Sequence, residues 1–260
     1  MSVWHGILLA IVEGLTEYLP VSSTGHLVIT SAFLGIENLQ IVKHYEIIVQ
    51  FGAILAVVFE YFRLLRSRFS FYPILFVGFL PAAVIGLAVK SYIDALLGHV
   101  LMVALALVVG GVVLLFTDRF FEKQKKPVKE LTAVTWKESL QVGFFQCLAF
   151  FPGVSRSGAS IWGGAFAGMD KKTATEFSFL LAVPTLTAAT MYKLYKAWPQ
   201  LSADDLFIFL LGNVISFVIG WLAIRLFIRF VVTFGFKIFG IYRIFFGSLV
   251  AVLWWVGFLG

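Results

Sequence analysis

A short polar stretch near the beginning of the chain carries side chains that could do chemistry. Between residues 13 and 26, two carboxylates, several hydroxyls and a histidine interrupt an otherwise apolar sequence. Glu13 and Glu17 are four residues apart, so a helix would place both carboxylates on one face. Because hydrocarbon solvates such groups poorly, a cluster of this kind inside an apolar segment indicates a functional site.

The same stretch contains a helix break. Pro20 and Gly25 interrupt the helix that carries the two carboxylates, and they leave Ser22, Ser23 and Thr24 as candidate caps of a second helix. For Ser22 and Thr24, and for Ser157 in the second half of the chain, capping is at least as good an interpretation as a chemical role. A helix that ends in a polar turn, followed by the start of another helix, is one way to build an anion site within a membrane.

A second polar break lies at residues 152–158, with the sequence Pro-Gly-Val-Ser-Arg-Ser-Gly. Arg156 adds a guanidinium whose planar fork suits a phosphate group. A purely structural role for this arginine is hard to find, because from the middle of an apolar segment it cannot reach either aqueous surface. Ser155, Ser157 and Ser160 add hydroxyl donors to the same segment.

The composition predicts the class of protein. The chain has 260 residues, 60% hydrophobic and 13% charged, and its mean hydropathy is +0.97. A soluble domain of this size cannot bury so much apolar surface, so we expect a polytopic α-helical membrane protein. The apolar runs are continuous rather than alternating, which argues against a β-barrel. The first residues do not read as a signal peptide, because a basic region is missing and Glu13 and Glu17 interrupt the apolar run.

Charge and cysteine content exclude further classes. The net charge of +6 is carried by short loops, where it reports membrane topology rather than binding of nucleic acid. No nucleic-acid partner is therefore expected. Cys147 is the only cysteine, which excludes an internal disulfide and a cysteine-based metal site.

Both polar breaks divide apolar segments that we interpret as re-entrant hairpins. The arm at residues 26–34 is too short to cross a hydrocarbon core of about 30 Å at about 1.5 Å per residue. The first repeat, residues 1–117, has its re-entrant hairpin at 1–34 and spans at 45–62, 72–89 and 100–116. A basic loop at 118–138 leads to the second repeat, residues 139–260, with its hairpin at 139–168 and spans at 175–192, 206–224 and 239–258.

The two halves of the chain resemble one another. Val21-Ser-Ser-Thr-Gly25 aligns with Val154-Ser-Arg-Ser-Gly158 at a shift of 133 residues, and Glu46 corresponds to Glu176 at a shift of 130. One hairpin and three spans make an odd number of crossings per half, which gives the halves opposite orientations. The predicted fold is therefore an all-α polytopic membrane protein with an inverted-topology repeat, each half one re-entrant helical hairpin plus three transmembrane helices.

The basic residues predict the orientation in the membrane. If the first hairpin opens to one side, the opposite side holds most of the positive charge: Arg63, Arg66, Arg68, Arg119, Lys123, Lys125, Lys126, Lys129, Lys137, Lys171, Lys172, Arg225, Arg229 and Lys237. The side of the first hairpin holds only Lys43, Lys90, Lys193 and Lys196. By the positive-inside rule, the first hairpin opens to the outside. Paired full spans in place of the hairpins would leave the same loops on the same sides.

Opposed hairpins would bring the two breaks together near the middle of the membrane. Each break begins a helix, whose free N–H groups and positive dipole end favour an anion. Glu13 and Glu17 would repel a phosphate unless a divalent cation bridges them to its oxygens, or unless one of them carries a proton. Ser22 or Ser23 beside His26 offers a nucleophile with its acid or base. Together these groups indicate phosphoryl transfer or hydrolysis of a phosphate ester.

At both breaks the sequence resembles the undecaprenyl-pyrophosphate phosphatases of bacteria, also called bacitracin-resistance proteins. Their first motif, E-x-x-x-E followed by P-V-S-S-T-G-H, is present at residues 13–26, and their second, P-G-x-S-R-S-G-A-[ST], at residues 152–160. Ser160 stands where many members carry threonine. The resemblance covers essentially the whole chain. It implies dephosphorylation of a C55 prenyl pyrophosphate lipid to the monophosphate carrier of cell-wall synthesis, a Mg²⁺ or Ca²⁺ requirement, and an active site facing the periplasmic side of the inner membrane.

The resemblance also implies residue roles. Glu13 and Glu17 would be essential carboxylates that bind the metal, and His26 would be a catalytic acid or base. Ser23 would be the nucleophile and Arg156 the pyrophosphate clamp, although attack by the histidine or by water stays open. The substrate-binding residues would be Ser22, Thr24, Gly153, Ser155, Ser157 and Ser160.

A second function stays open at this point: a transporter or flippase for a lipid phosphate. Inverted repeats and half-helix tips are typical of secondary transporters. The asymmetry of the two halves favours the hydrolase, since the arm before the first break carries Glu13 and Glu17, whereas the matching arm at residues 147–151 is apolar. The sequence does not decide between a monomer and a homodimer, or how long a prenyl chain is accepted.

Overall fold

The computed structural model describes residues 1–89, 92, 99–124, 127–128 and 130–259 and is built from helices. The α-helices described are α1 (Val3–Thr16), α2 (Ser23–Phe33), α3 (Gln40–Ile48), α4 (Gln50–Glu60), α5 (Phe62–Ser67), α6 (Phe71–Ala88), α7 (Val100–Glu122), α8 (Trp136–Gln146), α9 (Arg156–Phe166), α10 (Lys171–Ala197), α11 (Ala203–Phe234) and α12 (Lys237–Trp255). Short 3-10 helices lie at Leu131–Ala133, Cys147–Phe150 and Trp198–Gln200. Extended pairing in this part of the chain is limited to a bridge between Val128 and Met169. The predicted topology also used Lys90, Lys125, Lys126 and Lys129, which lie outside the described residues, as does Gly260.

Six helical stretches in the described ranges are long and apolar enough to cross a membrane: Gln40–Glu60, Phe71–Ala88, Val100–Glu122, Lys171–Ala197, Ala203–Phe234 and Lys237–Trp255. The chain is therefore an all-α polytopic membrane protein, as its composition predicts. Each stretch overlaps one predicted span, but the ends differ and several stretches extend further. α7 continues to Glu122 and α11 to Phe234, because hydropathy marks the apolar centre of a helix and not its end.

The two broken segments form pairs of short helices, α1 with α2 and α8 with α9. α1 has 14 residues and the other three have 11 each. At about 1.5 Å per residue, none of them is long enough to cross a hydrocarbon core of about 30 Å. α1 packs against α2, and α8 packs against α9. Re-entrant hairpins require such lengths and contacts; how these hairpins sit in a bilayer stays a prediction.

A serine caps the second helix of each pair. Ser22 precedes α2, and its hydroxyl accepts a hydrogen bond from the Gly25 amide at 3.3 Å. Ser155 precedes α9 and accepts from the Gly158 amide at 3.1 Å. Each break also holds a residue in the left-handed region, Ser22 with a φ of 71° and Gly153 with a φ of 90°. Because side chains are rarely tolerated there, Ser22 marks a strained turn just before the helix N-terminus.

α7 and α12 cross in close contact. A Cβ on Gly111 would lie 2.8 Å from the Gly240 carbonyl oxygen, and a Cβ on Gly240 would lie 2.8 Å from the Gly111 oxygen. Small residues let helix backbones approach in this way in membranes. α6 packs on α8 as α11 packs on α1, so equivalent helices of the predicted repeats make equivalent contacts. These contacts support the inverted repeat, whose orientation stays a prediction.

Candidate active site

The two polar breaks meet in the structure. The Ser157 hydroxyl donates to the Leu19 carbonyl oxygen at 2.8 Å. Arg156 Nη2 donates to Glu17 Oε1 at 2.7 Å, although the two residues are 139 positions apart in the chain. Two segments that sequence analysis identified separately therefore form one cluster of side chains.

Glu17 links the two breaks to Ser23. The Ser23 hydroxyl donates to Glu17 Oε2 at 2.5 Å, while the other carboxylate oxygen accepts from Arg156. Glu17 and Ser23 are both buried. A serine hydroxyl that is bonded to a carboxylate has an acceptor for its proton in place, which is the arrangement of an activated nucleophile.

Arg156 keeps a donor for a further partner. Its Nη1 donates to the Ser178 carbonyl oxygen at 3.0 Å, and Nη2 is engaged by Glu17. Its Nε atom is buried and has no hydrogen-bond partner among the described residues. Since a buried unpaired donor is costly, an anion that accepts from Nε would stabilise the site.

Glu13 is the least satisfied group in the cluster. Its side chain is fully buried, and no N–H or O–H donor among the described residues bonds to either carboxylate oxygen, although the Glu17 carboxylate lies within hydrogen-bonding reach. Glu17, Glu46 and Arg156 are the charged groups around it. A carboxylate in such a place needs a cation or a proton, because burying an unpaired charge is unfavourable.

A bound divalent cation would fit the two carboxylates. Within the described ranges no group of three or more His, Cys, Asp or Glu side chains is arranged to hold a metal ion. Glu13 and Glu17 could supply two ligands at most, and phosphate oxygens and water would have to supply the others. Mg²⁺ is commonly held in this way, by one or two carboxylates and the phosphates of a substrate.

Both ring nitrogens of His26 have partners other than the Ser23 hydroxyl. Its Nδ1 lies 2.8 Å from the Ser22 carbonyl oxygen, and its Nε2 lies 2.7 Å from the Tyr242 hydroxyl. A carbonyl oxygen can only accept, so Nδ1 carries a proton, and in the neutral ring Nε2 accepts from Tyr242. The ring also stacks on Phe246 with centroids 4.5 Å apart. The sequence spacing allowed a hydrogen bond between His26 and Ser23, but Ser23 bonds to Glu17 instead.

Most of the remaining predicted residues are hydrogen-bonded serines of the second break. Ser155 caps α9 and lies 2.9 Å from the Ser157 hydroxyl. Ser160 donates to the Arg156 carbonyl oxygen at 2.8 Å and lies 2.6 Å from the Ser178 hydroxyl. These hydroxyls hold the second break together. Thr24, by contrast, is exposed at the start of α2.

Three residues that contact the site, Ser178, Tyr242 and Arg243, were not predicted from the sequence. Ser178 and Tyr242 carry no local signal, because each lies in a different helix and looks like an ordinary residue of an apolar segment. Arg243 did carry a signal: it is an arginine inside the predicted span at 239–258, and such charges are expensive in a membrane. It is buried and bonds to carbonyl groups of both breaks.

Comparison with known proteins places this site in a family. The family model described as bacitracin resistance protein BacA matches residues 6–249. An undecaprenyl-diphosphatase of Bdellovibrio bacteriovorus is 45% identical over 257 residues, covering 99% of this chain and 98% of the relative. The undecaprenyl-diphosphatase of Flavobacterium johnsoniae is 44% identical, covering 97% and 96%, and undecaprenyl-diphosphatase 1 of Chromobacterium violaceum is 43% identical, covering 98% and 97%. This chain, in which Ser23, Glu17 and Arg156 connect two helix breaks, therefore belongs to the BacA family of bacitracin resistance proteins.

Proposed function

We propose that this protein hydrolyses undecaprenyl pyrophosphate to undecaprenyl phosphate and inorganic phosphate, and so regenerates the lipid carrier of cell-wall synthesis. The observation that carries the proposal is the contact of Arg156, Glu17 and Ser23 where the two breaks meet. The cluster combines an anion-binding guanidinium with a hydroxyl bonded to a carboxylate. The names of relatives that are 43–45% identical over nearly their whole length support the same activity.

The pyrophosphate would bind between the two helix N-termini. α2 and α9 begin at the two breaks, and the positive ends of their dipoles and their free N–H groups favour an anion. The unpaired Nε of Arg156 would donate a hydrogen bond to a phosphate oxygen. The planar arrangement of N–H donors in a guanidinium matches the arrangement of oxygens in a phosphate group. Ser22, Thr24, Gly153, Ser155, Ser157 and Ser160 would line this site or hold its backbone in place.

Glu13 and Glu17 would hold Mg²⁺ or Ca²⁺ together with the substrate, Glu17 through the lone pair of Oε1 that its bond to Arg156 leaves free. The unsatisfied oxygens of Glu13 support this assignment. The ion would neutralise charge on the phosphate oxygens. Without it, the same carboxylates would repel the pyrophosphate.

Ser23 would act as the nucleophile with Glu17 as its base. Its Oγ attacks the terminal phosphorus, its proton passes to Glu17 Oε2, and the bond between that phosphorus and the bridging oxygen breaks. Undecaprenyl phosphate leaves with the bridging oxygen. Water then attacks the phosphoserine, Glu17 returns the proton to the departing Ser23 oxygen, and both protons of the water remain with inorganic phosphate.

His26 would act through the turn that carries Ser23. Its Nδ1–H donates to the carbonyl of Ser22, the residue with the left-handed backbone, and Tyr242 holds the other ring nitrogen. We therefore assign His26 to positioning, and direct proton transfer by His26 becomes the alternative that variants can test.

The active site would face the periplasmic side of the bacterial inner membrane. In the predicted topology, the basic residues at the ends of α5, α7 and α11 and at the start of α10 lie on the side opposite the first hairpin, which the positive-inside rule assigns to the cytoplasm. A substrate in the outer leaflet would then reach the breaks from the membrane, with its prenyl chain in the bilayer.

Phosphate release from a C15 or C55 prenyl pyrophosphate by detergent-purified protein tests the proposal. We expect release that depends on Mg²⁺ or Ca²⁺ and is lost in Glu17→Gln. Glu60→Gln is the matched control, because Glu60 bonds to Trp221 and Arg225 away from both breaks. Full activity in excess EDTA would remove the metal from the proposal. A folded wild-type protein that releases no phosphate but moves a lipid phosphate across a bilayer would favour the transporter.

A further inference from the structure

Arg243 is a buried arginine without an acidic partner in the described part of the chain. It lies in the middle of α12, and only 2% of its surface is exposed. The ion pairs among the described residues are Arg156–Glu17, Lys171–Asp118 and Arg225–Glu60, and none involves it. A charge at this depth must be satisfied by other groups, and backbone carbonyls are the usual substitute within membranes.

Four carbonyl oxygens surround the Arg243 guanidinium. Nη1 donates to Pro20 at 2.9 Å, and Nη2 donates to Gly153 at 3.0 Å and to Ala106 at 3.1 Å. Nε donates to Leu107 at 3.2 Å. Pro20 lies in the first break, Gly153 lies in the second, and the other two carbonyls belong to α7. One side chain therefore binds both breaks to the crossing of α7 and α12.

The carbonyls of Pro20 and Gly153 that Arg243 contacts lie close in the chain to the proposed reacting groups. Pro20 lies between Glu17 and Ser23, and Gly153 lies three residues before Arg156. A shift of either break would change how Arg156 meets the Ser23–Glu17 pair. Because a displacement of about 1 Å in an active site can cost about 10²-fold in rate, such a link can govern turnover without touching substrate.

We infer that Arg243 is a positioning residue that holds the two breaks in the relative placement needed for catalysis. The catalytic part of this inference rests on the proposed function, because it takes the reaction from there. Its structural part, the joint fixation of both breaks, stands on the contacts of Arg243 alone. The fork geometry is essential to the inference, because a lysine keeps the charge but cannot reach four carbonyls that lie around a planar group.

Gly110 offers a second way to disturb the same contacts. A Cβ at Gly110 would crowd the Nη2 and Cζ atoms of Arg243. Alanine there would push the guanidinium from its carbonyls, and since the displaced atoms are the end of a flexible side chain, the helices need not move. Gly220 in α11 is the matched control, because a Cβ there would meet its nearest neighbour, Ala53 Cα, at an ordinary 3.5 Å.

The test compares Arg243→Lys with Arg225→Lys, and Gly110→Ala with Gly220→Ala. For each purified protein, kcat and KM for a C15 prenyl pyrophosphate are measured per folded molecule, beside amide hydrogen exchange of residues 19–23 and 151–155. We expect Arg243→Lys and Gly110→Ala to lower kcat by about tenfold or more, with a smaller change in KM. Exchange should rise in both breaks together, and both controls should match the wild-type protein.

Several results would overturn the inference. A kcat within about threefold of wild type in folded Arg243→Lys or Gly110→Ala would do so. A loss of activity that only follows the folded fraction, or exchange that is unchanged in both breaks, would also do so. If Arg243→Lys does not fold, Gly110→Ala decides alone. If the wild-type protein releases no phosphate, the proposed function fails, and the exchange of the two breaks decides whether Arg243 fixes them.

Discussion

At the scale of single residues, the site depends on how Glu17 shares its two oxygens. One accepts from the Ser23 hydroxyl and the other accepts from Arg156, so a single carboxylate joins the proposed nucleophile to the proposed clamp. Substitution of Glu17 would therefore remove a base and release an arginine at once. We therefore expect substitution of Glu17 to reduce activity more than substitution of a group that has only one partner.

His26 supplies a prediction at the same scale. The side-chain amide nitrogen of asparagine lies close to the position of histidine Nδ1, whereas that of glutamine lies close to Nε2. If His26 acts by holding the Ser22 carbonyl, His26→Asn should keep kcat within about tenfold of wild type and His26→Gln should lose more. Removal of a general acid or base would instead cost about 10²–10⁴-fold in both variants. Equal and severe losses in steady-state assays would contradict the positioning role.

The residue types of the site were predictable, but their partners were not. Local motifs identified Glu17, Ser23, His26 and Arg156, because charged and hydroxyl groups are conspicuous in apolar segments. The pairing of Ser23 with Glu17 rather than with His26 depends on the left-handed turn at Ser22. Sequence spacing carries no information about that turn, since the region is rare for serine.

At the scale of elements, the two breaks turn the chain at different positions, because the cap Ser22 is itself left-handed whereas Ser155, the cap that aligns with it, is extended. Ser22 adopts the left-handed backbone in the first break, and Gly153 adopts it in the second. Proline, glycine and serine in each break predicted where the helices end and begin. The close packing of the second break on α7 was not predictable, because it involves a backbone contact: a Cβ on Gly153 would lie 2.6 Å from the Val103 carbonyl oxygen.

Gly153→Ala tests this contact. The left-handed backbone alone should cost about 1–2 kcal/mol with alanine, and the contact with Val103 adds to that cost or moves the break. Gly168 is the matched control, since it has a φ of 85° but open space around its Cβ position. We expect Gly168→Ala to lower thermal stability modestly and to keep phosphatase activity. Gly153→Ala should lose activity as well, and equal behaviour of the two variants would contradict the contact.

At the scale of the whole molecule, the two halves of the chain meet at the two helical hairpins and at the crossing of α7 with α12. Hydropathy was sufficient to predict the six spans, because each is a long apolar run. The meeting of the two breaks followed from the repeat in the sequence. The route by which Arg243 connects them was beyond prediction, because its partners are carbonyl groups from three separate segments.

The orientation can be tested with single cysteines. In a Cys147→Ser background, Thr132→Cys lies in the exposed loop between α7 and α8, and Ala203→Cys lies at the exposed start of α11. The positive-inside rule places the first inside and the second outside. A thiol reagent that cannot cross membranes should therefore label only Ala203→Cys in intact cells. Labelling of Thr132→Cys instead would reverse the topology and move the proposed active site to the cytoplasmic side.

The stereochemical course at phosphorus most directly tests the central claim, that the reaction passes through a covalent intermediate, which we place on Ser23. A prenyl pyrophosphate whose terminal phosphorus is chiral through sulfur and oxygen isotopes would be hydrolysed in isotopically labelled water. Attack by Ser23 followed by attack of water makes two in-line displacements, so the account predicts retention of configuration in the released thiophosphate. Inversion would mean a single displacement by water, and would contradict a covalent intermediate on Ser23.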